Sequence, residues 1–137
     1  MPTTVTTTWS EGMCFDSQVS GHKVTLDSAQ EFGGKDRGPR PKPLLLTALT
    51  GCTGMDVISI LGKMKITPQS FQVTAHAQAS EEHPKVYTSI HLTYEFKGED
   101  LPYDKLKKAV DLSQQKYCGV SAMLKKACKL TYEIKTE

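Results

Sequence analysis

Four cysteines, Cys14, Cys52, Cys118 and Cys128, are the side chains of this 137-residue sequence with the widest chemistry open to them. As thiolates, cysteines attack peroxides and disulfides or bind soft metals; as thiols, they pack as small apolar groups. The four lie far apart. No Cys-x-x-Cys pair occurs and no Cys/His spacing suggests a zinc site, so no metal or cofactor is expected. Cys52 falls near the middle of a strongly helical segment, where the helix dipole has faded and does little to ionise it. A free thiol with a pKa of about 8.5 is only a few per cent ionised at neutral pH; a guanidinium that lowered it to about 6 would raise the thiolate some thirtyfold. Arg37 and Arg40, in the preceding loop, are the available cations, whereas Asp56, one helical turn past Cys52, opposes ionisation. Cys118 stands at a break before a short helix, where unpaired N–H groups and the positive dipole end stabilise negative charge. It cannot pair with Cys128 across intervening helix, because ten helical residues span about 15 Å. Cys14 and Cys128 are expected to be bystanders.

Other chemistry is poorly supported. His76 and His91 fall on the polar faces of expected strands, and His22 and His83 in turns, so solvated structural roles are expected. No Ser/His/Asp arrangement is visible. The segment GGKDRG lacks the Gly-Lys-Ser/Thr ending of a phosphate-binding loop, and its glycines are better explained as turn formers.

The elements that must position these residues follow from periodicity. Residues 1–28 read as a β-meander: Val5, Thr7 and Trp9 alternate with threonines, and turns fall at Glu11-Gly12 and Gly21-His22. Residues 29–43, rich in Gly and Pro, form a loop of the length that is often functional. Residues 43–65 read as one helix carrying Cys52, with Pro43 in its first turn. It is apolar nearly all round, the mark of a buried helix. Gly51 and Gly54 are unfavourable inside a helix and suggest that another backbone comes close beside Cys52. Residues 69–97 alternate strictly and form a hairpin turning near Glu82-His83-Pro84. Residues 102–127 give helices interrupted at Tyr117-Cys118-Gly119, and residues 129–136 a final strand.

Hydrophobic residues make up 38% and charged residues 23%, the balance of a folded domain, and 137 residues suit a single one. The formal net charge of +2 is too small, and the lysines too scattered, to argue for nucleic acid. The apolar stretch 44–61 is interrupted by Thr47, Thr50, Thr53, Asp56 and Ser59, so no membrane span is expected. The N-terminus shows neither a basic start nor an apolar run, which predicts no signal peptide and a cytoplasmic location.

The segments GHKVTLD, EFGGKDRGPRPKPLLLTALTGCTGMDVISIL and KYCGVSAMLKKA give the sequence a resemblance to the OsmC/Ohr family of thiol-dependent peroxidases, over nearly the whole chain. Within that family it is most similar to the less characterised OsmC-like branch. The resemblance implies an α+β fold with antiparallel sheets around two central helices, in an intertwined homodimer with its active sites at the interface. It also implies a mechanism. The Cys52 thiolate reduces an organic hydroperoxide in oxidative-stress defence and becomes a sulfenic acid, Cys118 condenses with it to a disulfide, and a dithiol of the lipoyl type restores both thiols. Arg37 is the best match to the family's activating arginine, with Arg40 second. One departure stands out: Lys42 and Pro43 occupy the places matching the family's arginine-orienting glutamate, and Glu31 is the nearest substitute in the loop. Two functions are therefore carried forward. One is the peroxidase; the other is a non-catalytic small-ligand-binding or redox-sensing protein that keeps the pocket. Phe15, Leu45 and Met55 are the expected pocket residues.

Overall fold

The computed structural model describes residues 2–137. The fold is α+β, and the chain divides into two compact units, one ending at Leu46 and the other comprising Thr47–Glu137.

In the first unit, β1 (Thr6–Glu11), β2 (Cys14–Val19) and β3 (His22–Leu26) form the expected antiparallel meander in the order β1-β2-β3. The threonine-rich β1 is exposed along its length, and Trp9, Met13 and Phe15 also present large apolar surface. The loop after β3 is ordered by a single carboxylate. Buried Asp27 accepts the backbone N–H groups of Ser28, Lys35 and Arg37 at 2.8, 3.3 and 3.2 Å, and the Arg37 Nε–H at 2.9 Å. The loop's glycines have a steric reason: a Cβ at Gly34 or Gly38 would stand 2.0 or 2.1 Å from the carbonyl oxygen of Ser28 or Thr25. Any side chain there would push the loop off the sheet edge.

The second unit layers helices on a sheet. α1 (Leu44–Lys63) starts one residue after Pro43, whose carbonyl accepts the Leu46 N–H, so the proline caps the helix from outside rather than opening it. β4 (Ser70–Ala79) and β5 (Tyr87–Lys97) pair antiparallel as a long hairpin. The chain then runs through α2 (Tyr103–Leu112), a π-helical turn (Ser113–Tyr117), α3 (Gly119–Ala127) and β6 (Lys129–Thr136). β6 lies parallel to β5, so this sheet is mixed rather than purely antiparallel. The helical crossover between β5 and β6 supplies the length that a parallel connection needs. Ile90, Leu92, Tyr94 and Phe96 alternate inward along β5 and are fully buried, as are Leu106, Ala109 and Val110 of α2. Phe71 stacks on Phe96 with ring centroids 4.6 Å apart, and Tyr132 meets Tyr94 edge-on at 6.1 Å.

α1 is not buried all round. Only Leu49, Thr53, Val57 and Leu61, a stripe at four-residue spacing, are fully buried, while Met55 is 77% and Ile58 46% exposed. The helix is long and apolar enough to cross a membrane by length and composition alone. Its buried stripe, however, packs as one layer of the second unit. No backbone approaches Gly51 within that unit, and a Cβ at Gly54 would meet only the Val73 and Phe71 side chains at 3.7 and 4.0 Å. These glycines instead floor an open groove of about 550 Å³ between α1 and β4, walled by Met55, Ile58, Phe71 and Val73.

The Arg37 guanidinium and three N–H groups hold the Asp27 carboxyl far below the usual carboxylate range, against the opposing effect of its burial. A depressed folded-state pKa adds stability that is complete above the unfolded value of about 3.9 and is lost as pH falls further. Asp27→Asn is therefore expected to lower the melting temperature at pH 7, with the gap to wild type narrowing as the pH drops below about 4. A gap that widened on acidification would contradict this account of the loop.

Candidate functional site

Cys52 and Cys118 come together. Their sulfurs and a carboxylate oxygen of Asp56 all lie within 4.8 Å of one another. All four cysteines are free; Cys118 is buried and Cys52 half-buried. Cys14 is buried in β2, and Cys128 caps the far end of α3 with its Sγ 3.6 Å from the Leu124 carbonyl oxygen, so α3 separates Cys128 from Cys118.

Local geometry explains the meeting. Cys52 and Asp56 share one face of α1, four residues apart. Cys118 follows the π-helical turn, whose closing bond runs from the Cys118 N–H to the Ser113 carbonyl at 2.8 Å. Wide turns of this kind often occur at functional sites. Cys118 is then the N-cap of α3, with extended backbone, and its sulfur accepts the Ser121 N–H at 3.4 Å as a serine or threonine oxygen commonly does. The Cys118 sulfur thus receives an N–H group that the first turn of a helix cannot pair internally.

Behind the sulfurs lies a buried polar chain. Thr53 Oγ1 is 2.7 Å from both Tyr94 Oη and Ser113 Oγ, Ser113 Oγ is 2.9 Å from Asp56 Oδ2, and Gln114 Nε2 is 2.7 Å from Tyr94 Oη. The proton directions follow by counting. A carboxylate only accepts, so Ser113 spends its single proton on Asp56. Thr53 must then donate to Ser113, Tyr94 to Thr53, and the Gln114 amide to Tyr94. The chain ends on the one acid beside the sulfurs. Lys125 Nζ donates to the Gln114 main-chain carbonyl oxygen at 2.6 Å and ties α3 to this assembly.

Burial pushes the Cys52 pKa up, and the neighbouring Cys118 thiol and the Asp56 charge add to the rise; the Val120 N–H opposes it. Burial likewise raises Tyr94, keeping it a donor. Both arginines of the sequence, Arg37 and Arg40, belong to the first unit. There Arg37 bonds Asp27 and Glu11 at 2.9 and 2.8 Å, and Arg40 bonds Asp36 at 2.6 Å. Arg37 is therefore not left unheld by the loss of a glutamate at 42–43: Asp27 and Glu11 hold it, and neither is the expected Glu31. Thr53, Tyr94, Ser113 and Gln114 also escaped the sequence reading. Thr53 alone left a signal, as the polar member of an otherwise apolar stripe. His91 bonds Thr131 and Glu133 on the exposed sheet face, the structural role expected of it. Of the expected pocket residues, Met55 lines the groove beside α1.

A mixed sheet layered with helices, one of which brings a cysteine against a second cysteine at a helix N-terminus, defines an α+β protein with a paired-thiol site. The chain belongs to the OsmC-like protein family, whose pattern it matches over residues 33–133. It is 36% identical over 125 residues to Protein YhfA of Escherichia coli K12, covering 90% of each chain. The crystal structure of a hypothetical protein from Aquifex aeolicus VF5 is similar with a TM-score of 0.84 and 31% identity, over 100% of this chain and 98% of that one. An organic hydroperoxide resistance protein OsmC from Legionella pneumophila shares the fold at a TM-score of 0.71 and 13% identity, over 98% and 97% of the two chains.

Because Asp56 contributes to the raised Cys52 pKa, Asp56→Asn should lower it. The rate of Cys52 alkylation by iodoacetamide, followed by peptide mass spectrometry across a pH series, should rise severalfold at pH 7 and its profile move to lower pH. A shift to higher pH would show that the carboxylate instead helps the thiol ionise.

Proposed function

We propose that this protein is a thiol-dependent peroxidase that reduces organic hydroperoxides. The observation that carries the reading is that the Cys52 and Cys118 sulfurs lie within 4.8 Å of each other, with Cys118 at the N-terminus of α3. The Cys52 thiolate attacks the distal oxygen of the hydroperoxide and the O–O bond breaks. The alkoxide takes a proton and leaves as the alcohol, and Cys52 becomes a sulfenic acid. The Cys118 thiol displaces the sulfenic oxygen as water, giving a Cys52–Cys118 disulfide. A dithiol then reduces this by two exchange steps and is itself oxidised to a disulfide. The fold shared with an organic hydroperoxide resistance protein agrees with this reading.

Arg37 is the proposed source of positive charge for Cys52, and Asp27 with Glu11 serve as its orienting acids. The proposed assembly is a homodimer. Trp9, Met13, Phe15, Met55 and Ile58 expose apolar surface of the kind a second copy would cover. The proposed location is the cytoplasm, where a lipoyl-type dithiol would supply electrons. A second reading, a redox sensor or small-ligand binder with little turnover, is favoured by the raised Cys52 pKa, which slows attack at neutral pH.

Reduced protein supplied with cumene hydroperoxide and dihydrolipoamide should consume peroxide over many turnovers. Cys52→Ser should abolish consumption, and Cys118→Ser should stop after one event with Cys52 trapped as sulfenic acid. Turnover that survives Cys52→Ser would refute the peroxidase assignment, and a single event in wild type would favour the sensor.

A further inference from the structure

Cys52, Cys118 and Asp56 form a donor set. Two cysteine sulfurs and one carboxylate oxygen lie within 4.8 Å of one another, on two segments that the fold holds together independently. A tetrahedral zinc ion with Zn–S bonds of about 2.3 Å requires ligand sulfurs about 3.8 Å apart, so side-chain rotations of at most about 1 Å bring these atoms onto one centre. The carboxylate is already aimed: Ser113 donates to its Oδ2 at 2.9 Å, leaving Oδ1 without that bond. Outer hydrogen bonds of this kind orient metal ligands. The Cys118 sulfur is held in place as the N-cap of α3 by the Ser121 N–H at 3.4 Å. The Ser121 hydroxyl, in the same first turn of α3, is buried and finds no partner among the described residues. Cys52 and Asp56 are half-buried, so solvent can reach the remaining position.

We propose that the reduced protein binds one thiophilic d10 cation, zinc in the first instance, through Cys52 Sγ, Cys118 Sγ and Asp56, with water in the fourth position. Each thiol gives its proton to solvent as it binds. Two sulfurs select zinc and its softer relatives over magnesium or calcium, which favour all-oxygen sets. The site does not depend on the peroxidase reading, because the ligands are needed only in their reduced state and no turnover is involved.

The test is titration of the reduced full-length protein with zinc against a chromophoric chelator, and with cobalt(II) as a spectroscopic substitute, without hydroperoxide. One equivalent should bind per chain, and cobalt should show thiolate charge-transfer bands with the visible bands of a tetrahedral ion. Cys52→Ser and Cys118→Ser should each weaken zinc binding by roughly a hundredfold or more and change the charge-transfer intensity. Asp56→Asn should weaken it about tenfold while both sulfur bands persist. Cys128→Ser should bind as wild type does, and circular dichroism establishes that each variant is folded. Failure to bind a stoichiometric ion, or binding unchanged in folded Cys52→Ser and Cys118→Ser, would overturn the site. Binding indifferent to Asp56→Asn would overturn the carboxylate as third ligand. A protein inactive toward hydroperoxide that still bound zinc would leave this inference standing and remove the other.

Discussion

The polar chain from Gln114 through Tyr94, Thr53 and Ser113 to Asp56 is the constraint on which the thiol site depends. Its members come from β5, α1 and the π-helical turn, so it joins the three elements that must agree before Cys52 can face Cys118. Each such bond contributes only about 0.5–1.5 kcal/mol net, but removing one partner strands a buried group at a cost of about 1–3 kcal/mol. That asymmetry rules out small sliding movements between α1 and the turn. The unidirectional order of protons has a second consequence. Because the chain terminates on Asp56, the carboxylate is held in place beside the sulfurs.

Cys52 is thus subject to opposed electrostatics. Burial, Cys118 and Asp56 disfavour its thiolate, and the N–H groups at the start of α3 favour it. Within the first unit, Arg37 is held by Asp27, whose carboxylate organises the loop around it through four hydrogen bonds. An arginine with two acid partners keeps its fork geometry, which a flexible surface arginine would not.

Much of this was legible in the sequence, and the boundary has physical causes. Strict alternation in 69–97 gives β4 and β5 because a half-buried strand has period two, and the apolar run at 44–61 gives α1. The Cys52–Cys118 pairing was legible only through family resemblance, since no local rule links residues so far apart. The apolar circumference of α1 suggested burial on every side, whereas only the stripe through Leu49, Thr53, Val57 and Leu61 is enclosed. Apolarity reports what a helix can cover, not which partner covers it. Asp27 was invisible as an organiser because its partners are mostly backbone N–H groups, which leave no mark in residue types. The parallel placement of β6 depends on the crossover through α2 and α3, and strand periodicity carries no direction.

The central claim is that Cys52 and Cys118 act as one redox pair. The most direct measurement is non-reducing peptide mass spectrometry of reduced protein treated with one equivalent of cumene hydroperoxide. A peptide linked through Cys52 and Cys118, with Cys14 and Cys128 still free, is the predicted result. Unmodified Cys52 and Cys118 thiols, or a disulfide that draws in Cys14 or Cys128 instead, would contradict it.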